Sequence, residues 1–292
     1  MSKIPVYAVV GPTATGKSAY AVRLAKEIGG EIISGDSMQI YRGMDIGTAK
    51  AMPDEQGGIV HHLLDIADID EPFSAGKFMA LAKEKIAEIH ARGKVPIVCG
   101  GTGLYIELLL TGKQLTETTA DEGLRAELLA FANEHGNEAL HARLAQADPD
   151  SAQAIHPNNV KRVVRALEIC MTSGVTKTEA DEQSRQYDNP YAPTVIRLTT
   201  NDRASLYERI DRRVRRMFEM GLEEEVRALC EKGLRDTPTA SQAIGYKEFY
   251  PYFDGLITIG QAEEDICRNT RRYAKRQETW FGRMHCDETV LI

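Results

Sequence analysis

The chain has 292 residues, 42% of them hydrophobic and 27% charged, with a net charge of −7; these are globular proportions that exclude a disordered tail or a low-complexity assembly, and the length admits one large domain or a core carrying an insertion. No stretch approaches the roughly 18 apolar residues of a membrane span, and Met1 runs at once into a short strand with no room for a signal peptide, so no membrane partner is expected. Five scattered cysteines, Cys99, Cys170, Cys230, Cys267 and Cys286, show neither disulfide nor zinc spacing, which points to the cytoplasm.

The first strand is expected over 6–10 and the first helix over 17–28, and between them Gly11, Pro12, Thr13, Ala14, Thr15, Gly16, Lys17 and Ser18 fit G-x-x-x-x-G-K-[ST]. A loop of this kind turns its amides and a helix N-terminus toward phosphate oxygens, with Lys17 as a cation and Ser18 placed to ligate Mg²⁺. A second strand at 31–34 delivers Asp36 just past its carboxyl end, where ligand sites gather in open α/β sheets. From position alone Asp36 suits a general base, a magnesium partner or, as turns favour Asp for local reasons, a loop cap. A helix over 75–92 and a strand over 95–99 follow. The chain is then helical until a last strand at 194–198, with segments at 121–135, 137–147 and 157–173.

After that strand come long helices, with Asp202 as an N-cap, Gly221 and Gly233 as interruptions, and a final helix over 263–281. Strands alternating with helices predict an α/β fold, a P-loop NTPase-like parallel sheet core flanked by helices, with an all-helical insertion domain. The expected division is a core over 1–115 and 194–292 and an insertion over 116–193. Up to this point a small-molecule kinase, an NTPase and a transferase that expels diphosphate all fit.

The residues beyond the loop are more specific. The 11–18 loop, the run from Asp36, Ser37, Met38 and Gln39 to Lys50, the His61-His62-Leu63-Leu64-Asp65 segment, and Cys99 to Tyr105 together resemble the tRNA dimethylallyltransferases. The resemblance continues through Asn158 to Glu168, Gly245-Tyr246 and Lys275 to Trp280, nearly the whole chain in order. It implies transfer of a dimethylallyl group from its diphosphate to the exocyclic amine of the adenine beside the anticodon. It also implies Asp36 as general base, a catalytic Arg213 and tRNA contacts at Asp36, Ser37, Met38, Gln39, Thr102 and Arg125. Further contacts are implied at Lys161, Arg162, Val163, Val164 and Arg165, at Gln242, Ala243, Ile244, Gly245, Tyr246 and Lys247, and at Lys275, Arg276 and Gln277. The chain departs from the family's usual wording at Gln242, where a basic residue is common, and at Lys161, where a glutamine is.

Periodicity supports part of this independently. Along 206–217, at about 100° per residue, Leu206, Ile210, Val214 and Met217 form one stripe, and Arg213 lies about 55° from its centre. A half-buried arginine there is either paired with a carboxylate or aimed at a ligand. Arg268, Arg271, Arg272, Lys275 and Arg276 form a basic stripe suited to a phosphate backbone. His61 and His62 lack a third spaced ligand, and Cys99 reads as a buried strand end. The expectation is a monomeric, Mg²⁺-dependent enzyme acting on tRNA and dimethylallyl diphosphate. The alternatives are a P-loop small-molecule kinase using ATP, a prenyltransferase of free adenine nucleotides, and a non-catalytic RNA-binding protein.

Overall fold

Val6, Ala8, Val9 and Val10 of β1 (Ile4–Val10) have no exposed surface, as expected of a parallel strand covered on both faces. In the computed structural model, which describes residues 3–112, 121–184 and 188–292, β1 leads into α1 (Lys17–Ile28), β2 (Gly30–Ser34), β3 (His61–His62), α2 (Ala75–Ala91), β4 (Val95–Cys99) and α3 (Gly103–Thr111). Five helices follow: α4 (Glu122–His135), α5 (Asn137–Ala147), α6 (Pro149–Ala154), α7 (Val160–Ser173) and α8 (Lys177–Ser184). The chain then forms β5 (Tyr191–Thr199), α9 (Arg203–Glu219), α10 (Leu222–Glu231), α11 (Phe249–Phe253), α12 (Ile259–Phe281) and β6 (Glu288–Leu291).

The strands pair in parallel in the order β3-β2-β4-β1-β5-β6. Two of these strands are absent from the expectation. The pair of histidines in β3 is too short to show a period, and β6 opens on Glu288 and Thr289; both exist only by pairing with a neighbour already in the sheet. β5 begins at Tyr191, three residues before the expected Thr194, because Asn189 anchors its entry: Asn189 Nδ2 donates to the Leu110 carbonyl at 2.6 Å and its Oδ1 accepts the Tyr191 amide at 3.0 Å. Likewise α12 starts at Ile259 instead of 263, where Thr258 and Gln261 close a capping box.

The chain divides into two compact units, Met1–Thr111 with Asn189–Ile292, and Gly112–Asp188. Of the expected insertion limits, 193 falls inside β5, to which 191–193 belong, while 116 lies among residues 113–120, which like 185–187 are outside the described residues. The helical unit has its own core, with Leu128 of α4, Leu140 and Leu144 of α5, and Val163 and Leu167 of α7. In the sheet unit Phe78, Ile86 and Ile106 pack in one cluster, and Val22, Ile97 and Ile196 in another. Glu31 near the start of β2 is 4% exposed and gathers His62 Nε2 at 2.7 Å and Arg92 at 2.6 Å. Burial alone raises its carboxyl, but those hydrogen bonds hold it below its ordinary value. Among the described residues no helix is long and apolar enough to cross a membrane.

Candidate active site

β1 ends in a loop whose glycine is dictated by space. Gly11 takes φ 139°, and a Cβ there would lie 2.1 Å from the Leu198 carbonyl oxygen of β5. Thr15 Oγ1 donates to the Pro12 carbonyl at 2.8 Å, and Lys17 Nζ reaches the same oxygen at 2.6 Å, so the ammonium is folded over the loop. The first amides of α1 have no intrahelical partner, which leaves a donor-rich end under that ammonium. Burial pushes Lys17 down to about 8, with Arg213 adding to the shift and Cys99 and Asp36 opposing it.

β2 ends at Ser34, and Asp36 follows in a turn. Its Oδ1 accepts the Met38 amide at 2.9 Å, so the loop-cap role considered for Asp36 is present. Its second oxygen has no protein partner among the described residues. Thr102, just beyond β4, holds this turn: its Oγ1 accepts the Ser37 amide at 2.9 Å and its amide donates to Gly35 O at 3.2 Å. Thr102 is thus a brace behind Asp36.

The loop after β1, the Asp36 turn and the Gly100-Gly101 turn after β4 open with α9 and α12 onto one cleft of about 310 Å³. Lys17, Arg213, Lys247 and Arg276 line it, and Asp36 is the only carboxylate among the described lining residues. Leu206, Ile210, Val214 and Met217 bury one face of α9, and Arg213 leaves that face into the cleft with no carboxylate partner among the described residues, so the paired alternative does not occur. Burial lowers its guanidinium from the ordinary value and Asp36 opposes this. Ser18, Ser37, Met38, Gln39, Gln242, Ala243 and Ile244 also face the cleft.

Of the other expected contact residues, Gln277 stands in the cleft wall but turns its amide inward. Gln277 is 4% exposed; its Oε1 accepts the Thr13 amide at 2.8 Å and its Nε2 donates to Gly101 O at 2.9 Å. It is an internal strut between two loops, because both ends of its amide are occupied by backbone. Tyr246 and Val163 are 0% exposed and Val164 is 5% exposed, so packing, not tRNA, takes their side chains; Gly245 is buried beside Tyr246. In the helical unit Arg125 and Arg165 both bind Glu168, which has no exposed surface, at 2.8 and 2.5 Å. Lys161 and Arg162 are exposed. The basic stripe of α12 is partly neutralised: Arg268 pairs with Asp265, and Arg271 with Asp211 at 2.7 Å. Arg272, Lys275 and Arg276 remain exposed. His61 faces the Ile59 carbonyl, and Cys99 lines the cleft instead of being fully buried, its thiol raised to about 11 chiefly by burial.

Residues 39–284 match the family model described as IPP transferase. The chain belongs to the IPP transferase family. A tRNA dimethylallyltransferase of Bacillus subtilis is 50% identical over 281 residues, covering 96% of this chain and 88% of that protein. The crystal structure of a tRNA isopentenylpyrophosphate transferase from Bacillus halodurans superposes with a TM-score of 0.72 at 48% identity, covering 99% of this chain and 90% of that one. A eukaryotic dimethylallyltransferase acting on tRNA gives 0.79 at 30% identity, covering 96% and 70%. Within this IPP transferase fold, Tyr273 and Thr270 of α12 and the 47–49 loop also line the cleft; the loop falls within the 36–50 run but was given no contact, and Thr270 and Tyr273 sit in an ordinary helical context that marks no site.

Gln277→Leu leaves the buried Thr13 amide unpaired, a loss of about 1–3 kcal/mol. A lower melting temperature together with weaker pyrophosphate binding is expected, read by thermal denaturation and titration on one preparation.

Proposed function

We propose that the chain transfers the dimethylallyl group of dimethylallyl diphosphate to the exocyclic N6 amine of the adenine adjacent to the anticodon, position 37, in tRNA. The products are N6-dimethylallyladenosine and diphosphate. The observation that carries this is one cleft in which, among the described residues, Lys17 and Arg213 are unpaired by carboxylates and Asp36 is the sole acid. A leaving diphosphate needs fixed cations and amides where its charge grows, and an adenine amine needs a nearby acceptor for its proton.

In the reaction the adenine N6 lone pair forms the bond to the allylic carbon while the carbon–oxygen bond breaks and its electron pair stays on diphosphate. The amide-rich 11–18 loop, Lys17 and Arg213 hold that leaving group. The free oxygen of Asp36 accepts the N6 proton, and Thr102 keeps the turn in place. The base must leave its stack to reach the cleft. Exposed Arg272, Lys275, Arg276, Lys161 and Arg162 suit the phosphate backbone. Ser18 is exposed and lines the cleft, and its hydroxyl has no hydrogen-bond partner among the described residues. That suits Mg²⁺, which binds through few protein ligands plus substrate phosphates and water. When bound, Mg²⁺ would neutralise diphosphate charge. The same proposal has the enzyme act as a single chain in the cytoplasm.

The test incubates the protein with labelled dimethylallyl diphosphate, magnesium and unmodified tRNA, with AMP and ATP in parallel. Label on tRNA is expected; label on AMP alone, or ATP turnover without transfer, overturns the proposal in favour of a nucleotide prenyltransferase or a kinase.

The Lys17 shift gives a pH dependence. Its ammonium is charged below about 8 and lost above it, so affinity for a non-reacting prenyl diphosphate analogue should be full at about pH 7 and fall toward about pH 9. Binding should take up protons near pH 8, because the anion raises Lys17 again. Calorimetry in buffers of different ionisation enthalpy measures that uptake, and Lys17→Met should abolish it.

A further inference from the structure

Resting on the proposed function, we infer that Glu225, which lies outside the cleft, is a positioning residue for the acceptor step, joining two cleft walls at a set spacing. Glu225 stands on α10. Its Oε2 accepts the amides of Asp45 at 3.1 Å and Ile46 at 2.8 Å, and its Oε1 accepts the Gly47 amide at 3.1 Å and the Tyr246 hydroxyl at 2.6 Å. Three successive amides converging on one carboxylate form an anion nest, here filled by the protein's own side chain. No lysine, arginine or histidine pairs with Glu225 among the described residues, so these four donors satisfy its charge.

The two partners belong to different walls. Gly47, Thr48 and Ala49 line the cleft on one side, and Gln242, Ala243 and Ile244, just before Tyr246, line it on another. The Tyr246 ring lies so close to Gly47 that a Cβ there would fall 2.4 to 2.8 Å from it. Glycine is therefore required for the approach, and the contact permits little slack. Burial and the Glu225 charge push the Tyr246 hydroxyl well above its ordinary value, which keeps it a donor. Each wall is also braced away from the joint. Lys50 Nζ holds Asp45 at 2.5 Å and Asp65 at 2.6 Å, while Glu248 accepts the Gly245 amide at 2.8 Å.

The joint acts on the acceptor side. Gln39 Nε2 donates to the Thr48 and Ala49 carbonyls at 3.2 and 3.3 Å, so displacement of the 45–49 loop passes into the segment carrying Asp36. The 11–18 loop is held separately, by β1 and by Gln277. Loss of the joint should therefore misplace base and acceptor while leaving the diphosphate cradle intact.

The test uses Glu225→Gln, which keeps the shape but replaces one acceptor oxygen by an NH₂ aimed at donors, and Tyr246→Phe, which removes a single bond. For Glu225→Gln we expect kcat/KM for tRNA to fall about 10- to 100-fold, the cost of a small misplacement. The Kd of a non-reacting prenyl diphosphate analogue should be unchanged, and the amides of residues 45–47 should exchange hydrogen faster. Tyr246→Phe should move tRNA kinetics less in the same direction, and the double variant should be no worse than Glu225→Gln. Wild-type tRNA kinetics in Glu225→Gln, or diphosphate affinity lost in proportion to turnover, overturns the inference. A wild-type chain that transfers nothing to tRNA overturns the proposed function instead, and the exchange at 45–47 still establishes or refutes the joint.

Discussion

Asp36→Asn should lower kcat for prenyl transfer by about 10²- to 10⁴-fold, the usual contribution of a positioned general base, with the Kd for tRNA nearly unchanged. Asparagine is the informative replacement because Asp36 has two functions in the structure. Its Oδ1 caps the Met38 amide, which an asparagine oxygen can still do. The proton-accepting oxygen becomes an NH₂, which cannot. Asp36→Ala removes both and should add a small loss of stability to a similar loss of turnover. Single-turnover rates with saturating tRNA separate the two effects. Asparagine activity close to wild type, with alanine inactive, would show that the cap and not the base is what the reaction requires.

Arg213→Ala should cost about 10²- to 10³-fold in kcat, the loss typical of removing one preorganised donor from a developing anion. Arg213→Lys should recover little of it, because a point charge does not reproduce the two-pronged grip of a guanidinium on phosphate oxygens. The melting temperature should hold in both variants. Arg213 has no carboxylate partner among the described residues, so its removal orphans no buried ion pair. That separates it from Gln277, whose loss strands a buried amide and must register in stability. A fall in melting temperature as large as that of Gln277→Leu would contradict an open, ligand-directed Arg213.

The helical periodicity of α9 was enough to lift Arg213 out of a run of arginines, because buried Leu206, Ile210, Val214 and Met217 define a face whose edge can be computed. Periodicity could not do the same for α12. There the stripe of five cations looked uniform, but Asp211 on α9 pairs with Arg271, a partner 60 positions away that no pattern within α12 contains. Gln277 sits one residue from exposed Arg276 in a segment that resembles a tRNA contact, yet its amide turns inward to Thr13 and Gly101. The difference is one of direction, set by what packs against the helix.

The sequence by itself determined the elements whose information is local: the glycine loop with Lys17 and Ser18, the helices with a marked apolar face, and Asp36 at a strand end. It also determined the family, through motifs spread in order along the chain. Only the tertiary structure decided what depends on neighbours distant in sequence. β3 and β6 are too short or too polar to announce themselves and form by edge pairing. Arg125 and Arg165 meet on buried Glu168, Thr102 braces the Asp36 turn, and Glu225 collects three amides nearly 180 positions upstream. The physical reason is common to all of these. A side chain's partner is whatever the fold brings within about 3 Å, and an isolated carboxylate, amide or hydroxyl carries no sequence mark of which partner that will be.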